Sequence, residues 1–324
     1  MDESKASAAR FKVGPAFAGI RLDQFLQRMI PRLSRNRIQK AIDERVRLTW
    51  DAPVKASTPV REGESVIVDD PVVNEQPIVF APTILFEDDD LLAIDKPPGI
   101  VVHPTHSHLR NTVITLLRKQ RNEPSLTLAH RLDAETSGVL LLGRHTWAAR
   151  KIQAAFQRGQ VHKAYLALVQ GHPAEDHFEV DLPLGPLTRD SFVFRQAPDG
   201  EDARASRTIF TILERGTRFS LVRAELLTGR RHQIRAHLAA IGHPVAGDKL
   251  YGLDDRDYRC FLRRGQLGQD MLARLGAPRT MLHSCHLELC HPRDAQRRIV
   301  VTSPMPGDMA TILAADRTAT GEGW

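Results

Sequence analysis

His130-Arg131-Leu132-Asp133-Ala134-Glu135-Thr136-Ser137-Gly138-Val139-Leu140-Leu141-Leu142 is a polar loop that runs directly into a short apolar strand. Asp133, Thr136, Ser137 and Gly138 are turn-forming residues, and the strand behind them gives the loop a rigid base. An aspartate two residues after an arginine can be held ionised by charge-assisted hydrogen bonds. An ordinary turn with a surface ion pair would fit the same letters.

Outward from that loop, short strands are predicted at Ile84 to Phe86 and Leu91 to Ile94, joined by the acidic turn Glu87 to Asp90 as a hairpin. His145 to Gln157 reads as a helix ended by Gly159. Val161 to Val169 reads as a strand, and Thr208 to Leu213 with Phe219 to Leu227 as an antiparallel pair. A helix is predicted over Arg231 to Ile241 and a late strand over Met281 to Cys290. Helices and strands alternate without a βαβ rhythm, which predicts an α+β fold with a mixed, largely antiparallel sheet. Toward the amino terminus, Leu22, Phe25, Leu26 and Met29 form one helical stripe. Pro31 stops that helix, Ser34 offers a cap to the next, and Ile38, Ala41 and Ile42 line its inner face. Small strands are predicted at Val46 to Thr49, Val54, and Ser65 to Val68. Residues 69–82 carry Pro71, Pro77 and Pro82 and read as a linker.

Three further stretches could carry chemistry. In Thr228-Gly229-Arg230-Arg231-His232-Gln233-Ile234-Arg235, the first two residues suit a helix start, and Arg231 and Arg235 would share a face, as for binding an anion. A basic surface helix is the plainer reading. In Val161 to Val169, Tyr165 shares a side with Lys163, and a tyrosine among apolar strand residues is more often core than catalytic. Asp95-Lys96-Pro97-Pro98-Gly99 is a stiff turn at a strand end. Neither His103, His106 and His108 nor His283, Cys285, His286, Cys290 and His291 has the spacing of a metal site, so no metal is expected. Phosphate-loop, dinucleotide-binding and Gly-x-Ser-x-Gly patterns are absent from the sequence.

The chain has 324 residues, of which 42% are hydrophobic and 26% charged, a globular balance that excludes a disordered or fibrous protein. Lysine and arginine exceed aspartate and glutamate by 45 to 39, leaving +6. Between Arg21 and Arg47 eight basic residues face three acidic ones, so five of those six charges lie in one small segment. A polyanionic partner is permitted by that excess. Three cysteines, an acidic and basic amino-terminal stretch without an apolar core, and no long apolar run predict a cytoplasmic protein without membrane contact.

Taken in order, these stretches resemble the RluA-type family of RNA pseudouridine synthases. His130 to Leu142 resembles the family signature His-Arg-Leu-Asp-x-x-Thr-Ser-Gly, Asp95 to Pro104 its Asp-Lys-Pro-x-Gly segment, Lys163-Ala164-Tyr165 its Lys-x-Tyr strand, and Leu227 to His237 its Thr-Gly-Arg-x-His-Gln-Ile-Arg segment. Gly247-Asp248, Tyr251-Gly252 and Leu282-His283 are similar to later landmarks. Arg21-Leu22-Asp23, Leu33-Ser34-Arg35 and Val60 to Glu64 resemble an S4 RNA-binding domain, with Glu44-Arg45-Val46 and Trp50-Asp51 where such domains carry glycines.

The resemblance implies an extension at 1–17, an S4-like α/β domain at 18–70, a linker at 71–82, a catalytic domain at 83–316 and a tail at 317–324. It implies isomerisation of uridine to pseudouridine in structured RNA, without a cofactor, by a monomer. Ribosomal RNA of the large subunit is the expected substrate, with transfer RNA or a noncatalytic RNA-binding role as alternatives. Asp133 would be the essential carboxylate, Arg235 its charge partner, and Tyr165 the ring beneath the target base. Arg131 would fill the space of the flipped nucleotide, and Lys96, Arg231 and Leu282 would contact substrate. Arg21, Ser34, Arg35, Arg37 and Lys40 would bind RNA through the S4-like domain.

Overall fold

The computed structural model describes residues 8–30, 35–69, 78–104, 110–187 and 195–318. Two compact units meet in sequence between Gln76 and Pro77. The smaller contains β1 (Ala8–Lys12), α1 (Leu22–Met29), α2 (Arg35–Arg45), β2 (Val46–Leu48) and β3 (Ser65–Asp69). Its antiparallel sheet runs β1-β3-β2. The apolar stripe of α1 buries Leu22, Phe25 and Leu26, and α2 adds Ile38 and Ile42, all packed with Val46, Trp50, Val60 and Val66. Within the stretch expected to be an extension, Ala8–Lys12 pairs along the whole of β3. Val54 lies outside any strand, in an irregular run beside Pro53. Pro31 and Ser34 fall outside the described residues.

The larger unit opens with the expected hairpin, β4 (Ile84–Glu87) and β5 (Leu91–Lys96). There follow α3 (Val113–Arg121), β6 (Thr127–Leu128), β7 (Ser137–Gly143), α4 (Thr146–Gln157), β8 (His162–Gln170), β9 (His177–Asp181), β10 (Gly185–Pro186), β11 (Gln196–Ala197), β12 (Arg207–Arg215), β13 (Phe219–Leu226), α5 (Gln233–Ala240), α6 (Asp255–Arg264), α7 (Gln269–Leu275), β14 (Leu282–Cys290), β15 (Arg298–Thr302) and α8 (Gly307–Thr318). The main sheet runs β4-β5-β7-β14-β8-β13-β12-β9, with β6 on β7 and β15 on β14. Its ladders are antiparallel except β7 with β14, so the α+β fold with a mixed, largely antiparallel sheet is the one observed. Strand β7 is buried at every residue, which its unbroken apolar run requires. Alternate residues of β5 and β7 feed two cores. Leu92, Ile94, Leu140 and Leu142 join the larger one. Leu91, Ala93, Val139 and Leu141 pack with Ile152 of α4 in the other. Phe80, inside the stretch expected to be linker, is buried in the larger core. No helix among the described residues is long and apolar enough to cross a membrane.

Candidate active site

The polar loop enters the sheet where β7 and β14 run parallel, with Ser137 beside His283 and Gly138 beside Ser284. Gly138 has φ +103°, and a Cβ there would lie 2.2 Å from the Ser284 carbonyl oxygen, so only glycine permits this approach. The Ser137 hydroxyl lies 2.9 Å from His283 Nδ1 in the interior. Behind the loop, Lys96 donates all three ammonium protons to carbonyls, those of Pro97 (2.9 Å), Ala134 (2.8 Å) and Thr136 (2.8 Å). Its side chain is fully buried, and its hydrogen bonds hold the loop carbonyls in place. Burial lowers its pKa to about 7, with Asp133 opposing and Arg279 reinforcing that shift. Glu135 fixes the far side by accepting from the Thr280 N–H (2.9 Å), the Thr280 hydroxyl (2.8 Å) and Lys249 Nζ (2.5 Å).

Held this way, Asp133 turns its carboxylate, 38% exposed, toward an open cleft. Arg235 Nη1 donates to Asp133 Oδ2 at 2.7 Å, while Nε and Nη2 grip Asp248 at 2.5 and 2.8 Å. Asp248 is fully buried and also accepts from the N–H groups of Leu250 and Tyr251. One arginine thus ties an interior anchor to an accessible carboxylate. Burial raises the Asp133 pKa, but the Arg235 charge, aided by His232, the Arg235 hydrogen bond and Arg231, outweighs it and holds the group below its usual range. Burial alone would weaken the Arg235 charge; the two aspartates more than offset it, and the guanidinium pKa rises.

Tyr165, on β8, is buried beside Asp133, and its phenol is pushed up to about 12 by burial despite a hydrogen bond with Ser284. It is therefore protonated at neutral pH. His232 sits with Nε2 3.8 Å from Asp133 Oδ1 and Nδ1 3.2 Å from the Tyr251 hydroxyl. Burial lowers its pKa to about 4, so the ring is neutral. The cleft is walled by Leu226, Ile234 and Leu282, with Arg131 and Arg230 also contributing.

The structure therefore brings Asp133, Tyr165, Arg235, Arg131 and Leu282 together around one cleft. Arg231 lines the wider groove outside it. Helix α5 begins at Gln233, after His232 in the left-handed conformation, so Arg231 and Arg235 do not share a helical face and Thr228 and Gly229 do not start the helix. Instead Gln233 Oε1 accepts from the Thr228 hydroxyl (2.8 Å) and the Arg230 N–H (2.9 Å), tying that turn to the helix. Residues Arg230, His232 and Asp248 were not among the expected site residues. The first two lie inside the quoted arginine-rich stretch; Gly247-Asp248 was the available clue to the third. In the smaller unit Arg21, Arg35, Arg37 and Lys40 are exposed, Arg21 gripping Asp23 (3.0 and 2.8 Å) and Lys40 lying 3.8 Å from Glu44. Ser34 is outside the described residues.

A carboxylate kept ionised at an open, arginine-lined cleft is the equipment of an enzyme acting on a polyanion. A family model described as RNA pseudouridylate synthase matches residues 90–240. The chain is 36% identical over 310 residues to the ribosomal large subunit pseudouridine synthase D of Nitrosomonas europaea, which covers 93% of this chain and 85% of that relative. It is 31% identical over 332 residues to the ribosomal large subunit pseudouridine synthase C of Vibrio parahaemolyticus, covering 98% and 100%. The solved structure of human RNA pseudouridylate synthase domain containing 1 matches with a TM-score of 0.56 and 27% identity, over 71% of this chain and 86% of that one. The chain belongs to the RNA pseudouridine synthase family, in its RluA-type branch. It is an isomerase that converts uridine in RNA to pseudouridine.

Proposed function

We propose that this chain modifies large-subunit ribosomal RNA and that Asp133 is its catalytic carboxylate. The observation that carries the second part is the Asp248–Arg235–Asp133 relay, which keeps one accessible carboxylate charged beside a protonated tyrosine. The substrate reading rests on the names of the Nitrosomonas and Vibrio relatives. Cys260, Cys285 and Cys290 are free thiols, which suits action in a reducing cytoplasm.

A uridine within folded RNA must leave its stack to reach such a cleft. Arg131 is exposed and suited to occupy the vacated place, while Tyr165, Leu226 and Leu282 offer the base an apolar bed. Arg235 engages Asp133 Oδ2, leaving Oδ1 to meet C1′, C6 or the 2′ proton of the substrate. The isomerisation breaks the N1–C1′ bond, joins C5 to C1′, removes the C5 proton and places a proton on N1. The neutral His232 and the phenol of Tyr165 are the ring groups beside that exchange. Arg21, Arg35, Arg37 and Lys40 of the smaller unit would add phosphate contacts, in keeping with an S4-like role.

Asp133→Asn keeps the volume and removes the charge. It should fold normally and lose turnover by several orders of magnitude, measured as tritium release from C5-labelled uridine RNA. Near wild-type turnover would remove Asp133 from the chemistry. Mapping pseudouridines in total RNA from cells with and without the gene separates ribosomal from transfer RNA as substrate.

A further inference from the structure

On the sheet face away from Tyr165, a second cluster of reactive side chains plays no part in the cleft. Strands β8 and β14 pair Tyr165 with Ser284, Ala164 with His286 and His162 with Glu288, with a bulge between Ser284 and His286. Paired residues share a face and successive residues alternate, so the bulge turns His286 and Glu288 to the side of His162. The two imidazole rings meet edge to face with centroids 5.4 Å apart. One nitrogen from each histidine and one oxygen from Glu288 all lie within 4.8 Å of one another.

We propose that His162, His286 and Glu288 form a binding site for a divalent transition-metal ion, with zinc the best fit. Ligands at zinc bond lengths in tetrahedral array stand about 3.3 Å apart, so donors up to 4.8 Å apart need to close by up to about 1.5 Å, within reach of side-chain rotation. The carboxylates are already oriented for it. Arg298 holds Glu288 through Oε1 at 2.7 Å, leaving Oε2 beside His286 at 3.8 Å. On the neighbouring strand, Arg223 holds Glu225 through Oε1 at 3.0 Å, and its Oε2 lies 3.4 Å from His162 Nε2. Glu225 stands beside His162 but outside the three-donor group, and Glu288 has the outer partner that fixes metal-binding carboxylates elsewhere. The two histidines are partly exposed, so an ion can enter from solvent. Bound there, it would clip β8 to β14 and take no part in the reaction at Asp133.

The test uses the full chain, stripped with a chelator and titrated with zinc by calorimetry and with cobalt by absorption. One zinc per chain, tetrahedral cobalt bands and a zinc-dependent rise in melting temperature are expected. His162→Ala and His286→Ala should each weaken zinc binding by about tenfold or more and abolish the thermal shift, with metal-free urea midpoints showing that both variants fold. RNA turnover should be equal with and without chelator. No saturable binding to the wild-type chain, or equal affinity in both folded variants, would overturn the proposal. So would loss of binding in Cys290→Ser alone, because that exposed thiol shares the adjoining hollow with His162 and Glu288.

Discussion

Asp248→Asn tests whether the site depends on a residue that does not line its cleft. Asp248 accepts from Arg235 Nε at 2.5 Å and Nη2 at 2.8 Å, and from two backbone N–H groups at 3.0 and 3.1 Å. Asparagine keeps one acceptor but sets an amide NH₂ against a guanidinium donor. Breaking a buried ion pair from one side costs about 3–5 kcal/mol, and the lower end applies because Asp133 still balances part of the Arg235 charge. Against a typical domain stability of about 5–15 kcal/mol, the variant should fold with a clearly lowered urea midpoint. Released from its anchor, Arg235 no longer fixes Asp133, and misplacement by about 1 Å costs on the order of a hundredfold in rate. That is about 2.7 kcal/mol of transition-state stabilisation. Single-turnover tritium release, well below the melting temperature and at saturating RNA, measures it, with RNA affinity expected to stay close to wild type. A folded variant with wild-type rate would refute the relay. A loss confined to RNA affinity would make Asp248 a determinant of binding instead.

Arg235→Lys should also be severely impaired, because a point charge cannot grip Asp248 with two bonds while reaching Asp133 with a third. Loss of RNA affinity with unchanged single-turnover chemistry would reassign Arg235 to phosphate contact. The folded pKa of Asp133 lies below its ordinary value near 3.8, so its stabilising contribution is present above that value and lost as pH falls through the folded pKa. With His232 at about 4, neither group titrates between roughly pH 5 and pH 8, and single-turnover rates should show no acid limb there from either. A limb centred near the usual histidine value that disappears in a His232 variant would contradict the assigned charge states. Gly138→Ala should cost more than about 2 kcal/mol in urea denaturation. Gly265→Ala, at φ +68° but with open space around it, should cost about 1 kcal/mol, and equal losses would deny the close approach of β7 to β14.

Local patterns in the sequence were good guides where burial follows a simple period. The apolar run within β7 and the stripe of α1 lie where the spacing puts them. Helix α6 has no buried residue, so apolar spacing had no core to report there. His232 adopts a left-handed conformation that its letter does not announce, and the helix after it starts two residues later than expected. Lys96 shows another limit of the letters. A lysine beside a signature loop suggests a cation for substrate, whereas three nearby carbonyls consume every proton it has. Asp248 was visible only as part of a landmark, because its role depends on Arg235, thirteen residues away, turning back to it.

The ladder between β7 and β14 also dictates when during synthesis the enzyme can work. Ser137 reaches His283 across 146 residues, and Arg235 reaches Asp133 across 102. Domains form from the amino terminus as the chain emerges, and contacts between distant segments come last. A nascent chain that ends before β14 lacks the strand on which Gly138 rests, however complete its signature loop. Fragments from stalled or prematurely terminated translation should therefore be silent, with a competent site formed only once nearly the whole polypeptide has been made.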